Sequence, residues 1–240
     1  MQEWYDRQYS PLLNRDMEHA LIGHAGKLCL AFAPQNGHTW DFRNFGMVET
    51  VRPWIDAGRL RILLVDSIDE ETWSDEHGDG RYRIELQERW FHYIMEELLP
   101  QYLPWDQKAM ATGCSMGGVH AANAFFRRPD RFDTLISLSG LFDASHFFHG
   151  YMDDLVYANS PIHFLPNMPA DHPWMDLYRQ GNIIFCCGPG ARGGGKIRGL
   201  PGPGGPPTRS PPPFPTSRLS SPIGSSCSRT RIGLFRKSLN

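Results

Sequence analysis

The sequence predicts an α/β fold, with a mostly parallel sheet and helices on both of its faces. Three observations carry this expectation. Short apolar runs recur through the first 187 residues, and segments of helical period stand between them. Those segments fall where parallel strands require crossovers. The length, 240 residues, suits one domain with a sizeable core.

In chain order, residues 27–33 (KLCLAFA) form an apolar run that ends at Pro34, before the turn-like QNGH. They read as a strand and a loop. Residues 46–58 (GMVETVRPWIDAG) alternate apolar and polar positions at helical spacing, with Gly58 as a stop. Residues 60–67 (LRILLVDS) read as a buried strand. Residues 84–99 (IELQERWFHYIMEELL) set Ile84, Trp90, Phe91, Ile94, Met95 and Leu98 on one broad helical face. A strand over 108–113 (KAMATG) and a helix over 117–128 (GGVHAANAFFRR), ended before Pro129, come next. Residues 134–140 (TLISLSG) and 182–188 (NIIFCCG) complete the strands. Between these two, at about 141–178, the chain is rich in aromatics, His, Asp and Pro, with no long period. This stretch reads as a cap-like insertion over the strand ends. It is either an irregular cap with satisfied polar groups or a substrate-binding element.

Composition narrows the function classes. Hydrophobic residues make up 40% and charged residues 21%, ordinary for a soluble globular chain. A net charge of −2 gives no reason to expect a nucleic-acid partner. No run approaches the roughly 18 apolar residues of a membrane span, so no membrane partner is expected. The first residues lack a basic segment followed by an apolar one, so no secretory signal is visible. Five cysteines form no C-x-x-C pair and no disulfide framework, and read mostly as small buried hydrophobes. A cytoplasmic setting is expected. Seven carboxylates between Asp66 and Asp79 lack the spacing of a calcium loop and read as a solvated acidic loop. His24, His38 and His77 have no metal-ligand spacing, so neither metal nor cofactor is expected.

The chemistry concentrates at residues 111–126 (ATGCSMGGVHAANAFF). Gly113-Cys114-Ser115-Met116-Gly117 sets a serine in a G-x-S-x-G frame between a strand and a helix. A strand turning sharply into a helix strains its corner residue, and small neighbours must let the backbones pass closely. The serine oxygen then stands above the sheet, and the helix N-terminus lies beneath a developing oxyanion. This frame sits where its mechanics demand, which makes Ser115 a candidate nucleophile.

GCSMGG, preceded by LAFAPQNG and followed by SLSGLFD and NIIFCCG, resembles the putative-esterase branch of the α/β-hydrolase superfamily. That branch includes esterase-D-like enzymes, feruloyl esterases and mycolyltransferases. The likeness covers residues 20–187. It implies an α/β-hydrolase-type sheet and a serine esterase acting on a small-molecule carboxylic ester through a Ser115 acyl-enzyme. The backbone N–H of Met116 is the implied first oxyanion donor. The second would come from Gln35 or Asn36. The resemblance also implies an acid after the strand at NIIFCCG and a histidine after one further strand.

The sequence departs from that pattern. From Gly188 to Asn240 there is no Asp, Glu or His, and the segment carries nine Lys/Arg, eleven Gly and ten Pro. All 26 acidic residues fall before it, where 15 basic residues leave a net −11. The sheet therefore reads as C-terminally incomplete, and the serine lacks its expected acid and base. Asp143, at a strand end, is a weak substitute acid. His146, His149, His163 and His172 lie in the cap-like stretch, and His120 lies five residues past the serine. Residues 188–240 read as a disordered tail, for which three origins compete. These are a polyproline ligand, a basic segment for nucleic acid or anionic membranes, and GC-rich coding DNA read in a shifted frame. The composition break favours the shifted frame. Reading the DNA downstream of the Gly188 codon tests this, with an apolar strand and a His-containing loop expected in another frame. The contrasting reading of the whole chain is a non-catalytic hydrolase-like binding protein with a Pro-rich interaction tail.

Overall fold

The structure, a computed structural model, describes residues 1–187. The expected tail over 188–240 lies outside the described residues. Seven strands form one sheet in the order β1-β2-β4-β3-β5-β6-β7. They are β1 (Glu3–Ser10), β2 (Arg15–Ile22), β3 (Lys27–Phe32), β4 (Leu60–Val65), β5 (Ala109–Cys114), β6 (Phe132–Leu138) and β7 (Asn182–Cys186). Strand β2 runs antiparallel to both β1 and β4, and every other pairing is parallel. The expected mostly parallel α/β sheet is therefore present.

The helices of the described chain are α1 (Asp41–Asn44), α2 (Met47–Asp56), α3 (Gly80–His92), α4 (Leu99–Tyr102), α5 (Met116–Arg127), α6 (Ala144–Phe147), α7 (Asp154–Ala158), α8 (Pro161–Phe164) and α9 (Pro173–Gln180). Asp79 caps α3 by accepting the Tyr82 N–H, so this helix starts four residues before the expected Ile84. A π turn over Tyr93–Leu98 joins α3 to α4 just ahead of Pro100, which has no N–H to give. The stretch expected to be a cap-like insertion holds α6 to α8, and most of α9.

Alternation along the central strands builds two cores. Leu28, Leu30 and Phe32 of β3 face one layer, with Trp90, Ile94, Leu98 and Phe125. Cys29 and Ala31 face the other, with Val48, Val51 and Ile55 of α2. Both faces are covered, which explains why the central strands read as continuous apolar runs. Burial pushes the Cys29 thiol up to about 12. Cys114, read as a small buried hydrophobe, is exposed.

Chain direction positions the site. From β3 the chain crosses by α1 and α2 to β4 on one side. From β5 it crosses by α5 to β6 on the other. Strands β3 and β5 are neighbours, with Phe32 opposite Gly113. The sheet thus has its topological switch between them, where their C-terminal ends leave an open crevice.

Candidate active site

Ser115 occupies the corner between β5 and α5 with φ 56 and ψ −121. A non-glycine residue in this region stores about 1–3 kcal/mol of strain. The corner is held from both sides. The Ser115 N–H donates to Leu138 O at 2.8 Å, and Ser115 O accepts from Gly118 N at 2.9 Å. Ser115 is exposed while Met116 is buried beneath it. The Met116 N–H belongs to the first turn of α5, where the helix itself supplies no carbonyl. Two glycines make the corner passable. A Cβ on Gly113 would lie under 3.0 Å from the backbone of Gly117, and one on Gly117 equally close to the carbonyls of Phe32 and Ala33. The first turn of α5 therefore rests directly on the end of β3.

The loop leaving β3 is the second wall. Gly37 N–H donates to Pro34 O at 2.9 Å, closing a tight turn with Asn36 left-handed at φ 55. Gln35 Nε2 donates to Ser74 Oγ at 2.8 Å, and Thr39 N–H to Asp66 Oδ1 at 2.7 Å. Burial pushes the Asp66 carboxyl above its ordinary range, partly offset by that N–H and by His38. The Asn36 N–H donates to Asp69 Oδ2 at 3.2 Å. Asp69 in turn meets His120 Nε2 through Oδ1 at 2.8 Å, with both side chains almost fully buried. Asp69 thus departs from the solvated loop expected for its acidic run. The imidazole of His120 is boxed by Phe32, Trp73 and Trp90. Beyond the turn, His38 stacks on Trp40 at 4.3 Å. A cleft lined by Arg7, Arg15, Asn36, His38, Asp66 and Glu71 adjoins this loop, and Ser115 does not line it.

On the β6 side, Asp143 caps α6 by accepting from Ser145 N–H at 3.0 Å. Its Oδ1 lies 4.0 Å from His163 Nδ1. Ala144, next to it, packs in one apolar cluster with Met116, so this corner adjoins the elbow. Ser160 Oγ accepts from Ala144 N–H at 3.0 Å, donates to Phe142 O at 3.3 Å and contacts His163 Nδ1 at 2.6 Å. With the hydroxyl proton on Phe142 O, Nδ1 is the donor to Ser160, and Nε2 carries the lone pair. The remaining histidines of the stretch are placed differently. His172 Nδ1 caps α9 by accepting from Trp174 N–H, while His146 and His149 are exposed. No group of three or more His, Cys, Asp or Glu among the described residues could hold a metal ion, and no helix there is long and apolar enough to cross a membrane.

A seven-stranded sheet with one antiparallel strand at β2, and a strained serine at its switch point, defines the α/β-hydrolase fold. Residues 31–192 match the family described as "Putative esterase", and the chain belongs to that family. Solved structures agree on the fold. A ferulic acid esterase superposes with TM-score 0.59 at 16% identity, over 78% of this chain and 79% of that chain. An S-formylglutathione hydrolase from Agrobacterium tumefaciens gives 0.56 at 13%, over 77% and 85%. Another from Staphylococcus aureus gives 0.53 at 15%, over 78% of each chain. No curated protein matches the chain in sequence. These matches support the esterase superfamily broadly rather than an esterase-D-like branch within it.

Proposed function

We propose that the chain is a serine ester hydrolase, or acyl transferase, that passes a small-molecule acyl group through a Ser115 acyl-enzyme. The observation that carries this is the exposed, strained Ser115 at the switch point, above the first turn of α5. Attack by Oγ on an ester carbonyl forms a tetrahedral oxyanion. Collapse expels the alcohol and leaves the acyl group on Ser115, and water then releases the acid. Met116 N–H is one oxyanion donor. For the second, the turn favours Gln35 over Asn36. The Asn36 N–H is held by Asp69 and the Gly37 N–H by Pro34 O, whereas Gln35 N–H has no partner among the described residues. The esterase-D-like resemblance of GCSMGG makes a short acyl group the first substrate to test. A short-chain nitrophenyl ester turned over by the protein, with turnover abolished in Ser115→Ala, is the expected result. Equal rates in both would end this reading and favour a non-catalytic binding protein.

Ser115 needs a proton acceptor. Of the four histidines between β6 and β7, His163 combines a neighbouring carboxylate, Asp143, with an Nε2 that its contact to Ser160 leaves unused. Taken as the base, it makes His163→Ala lose about 10²–10⁴-fold in kcat, the usual scale for general-base removal. A rate unchanged in His163→Ala removes His163 as the base.

A further inference from the structure

A buried carboxylate–imidazole pair stands outside this chemistry yet touches both walls of the crevice. Asp69 follows β4 and His120 belongs to α5. Their contact through Oδ1 at 2.8 Å ties the elbow helix to the β4 end of the sheet. The second oxygen, Oδ2, holds the Asn36 N–H of the loop leaving β3. One carboxylate therefore joins the two segments that carry the oxyanion donors. Its surroundings keep it there. Asp69 is 1% exposed and His120 3% exposed. Phe32, Trp73 and Trp90 enclose the imidazole, and Asp69 O accepts from both Thr72 and Ser74 N–H. Burying an ionisable pair without water costs free energy that an apolar pair of similar size would not. A fixed peptide plane at Asn36 is what the carboxylate provides in return.

We infer that Asp69 and His120 are positioning residues, which set the loop N–H groups of residues 35 and 36 relative to Ser115. This inference rests on the hydrolase reading and deepens it. An oxyanion hole stabilises the transition state only if its donors are already aimed when charge develops. Releasing the Asn36 peptide lets the Gln35–Asn36 segment rotate, so the loss falls on kcat and not on ester binding. An apolar replacement removes both contacts of the carboxylate. An asparagine keeps one acceptor oxygen for Asn36 N–H and offers its NH₂ to His120 Nε2, so it restores the bridge in neutral form.

The test compares wild type with Asp69→Ala, Asp69→Asn and His120→Gln on a short-chain nitrophenyl ester. Rates are scaled to Ser115 sites titrated with a fluorophosphonate. Asp69→Ala is expected to lose about 10²-fold in kcat per titrated site, the scale of one missing oxyanion donor, with KM changed less than about 3-fold. Asp69→Asn is expected to recover most of that loss, and His120→Gln to lie between the two. A purely structural role lowers the number of titrated sites and leaves kcat per site unchanged, which overturns the inference. Amide exchange at Asn36, read by NMR, needs no turnover. Faster exchange of this one amide in Asp69→Ala supports the bridge, and unchanged exchange overturns it. A wild type that neither turns over nor labels defeats the hydrolase reading alone, and the Asn36 amide then decides the bridge. Should Asp69→Ala fail to fold, His120→Gln carries both measurements.

Discussion

Replacing Ser115 with glycine is expected to cut ester turnover by roughly 10³-fold or more, and to raise the unfolding free energy by about 1 kcal/mol. The loss follows from removing the only oxygen that the corner presents as nucleophile. What remains is oxyanion stabilisation and binding, which alone give slow background reaction. The gain follows from the backbone. A side chain at φ 56, ψ −121 is strained, whereas glycine accepts that conformation freely. Against this, glycine costs about 0.5–1 kcal/mol through the added freedom of the unfolded chain. The strain relief outweighs that cost. Ser115→Ala separates the two effects, because it removes the oxygen and keeps the Cβ, so turnover falls with no gain in stability. Urea unfolding of the three proteins reads the difference. A midpoint for Ser115→Gly at or below that of Ser115→Ala would show that the corner is unstrained.

Gly117→Ala is expected to destabilise the fold by about 3 kcal/mol or more, or to prevent folding. Helix propensity alone predicts the opposite, a gain of about 1 kcal/mol from replacing glycine inside a helix. Sterics decide. The new methyl would press on the Phe32 and Ala33 carbonyls, which are backbone at the end of the central strand and cannot move aside as a side-chain tip can. Relief requires lifting α5 off β3, and that carries Ser115 and the Pro34–Gly37 turn apart. Activity and stability therefore fall together, unlike the Ser115 series. Thermal unfolding at or above the wild-type midpoint would show that α5 shifts without cost.

Strands β3 to β6 were legible in the sequence because both sheet faces are buried there, so their runs are apolar and bounded by turns. Strand β7 was legible as an apolar run although it is only half-buried, and of the helices α2, α3 and α5 were legible by their period. The hairpin of β1 and β2 was not legible. Six successive residues of β1, Trp4 to Tyr9, are exposed on both faces, so no alternation marks the strand. Backbone pairing with β2 from Glu3↔Ile22 to Ser10↔Arg15 makes it a strand all the same. At the site, the elbow was legible because its glycines are local in sequence. The Asp69–His120 bridge was not. Its aspartate is embedded in an acidic run that resembles a solvated loop, and its histidine lies on a helix where a lone imidazole carries no signal. Only the parallel packing of β4, β3 and β5 brings them together. Asp143 stood out by its place at a strand end, while Ser160, which orients His163, had no sequence mark.

The register that sets Phe32 opposite Gly113 has a kinetic consequence. That pairing closes a loop containing all of β4 and α3, whereas the β1–β2 hairpin pairs two strands joined by a short turn. Closing a long loop costs entropy before its contacts form, so the β3–β5 seam is expected to assemble after the hairpin and the helices. The corner at Ser115 exists only once that seam is shut. Its strain is absent from the folding barrier and present in the finished protein, so it speeds unfolding without slowing folding. The strained corner at Ser115 thus shortens the lifetime of the native state, and Ser115→Gly is expected to lengthen that lifetime at an unchanged refolding rate.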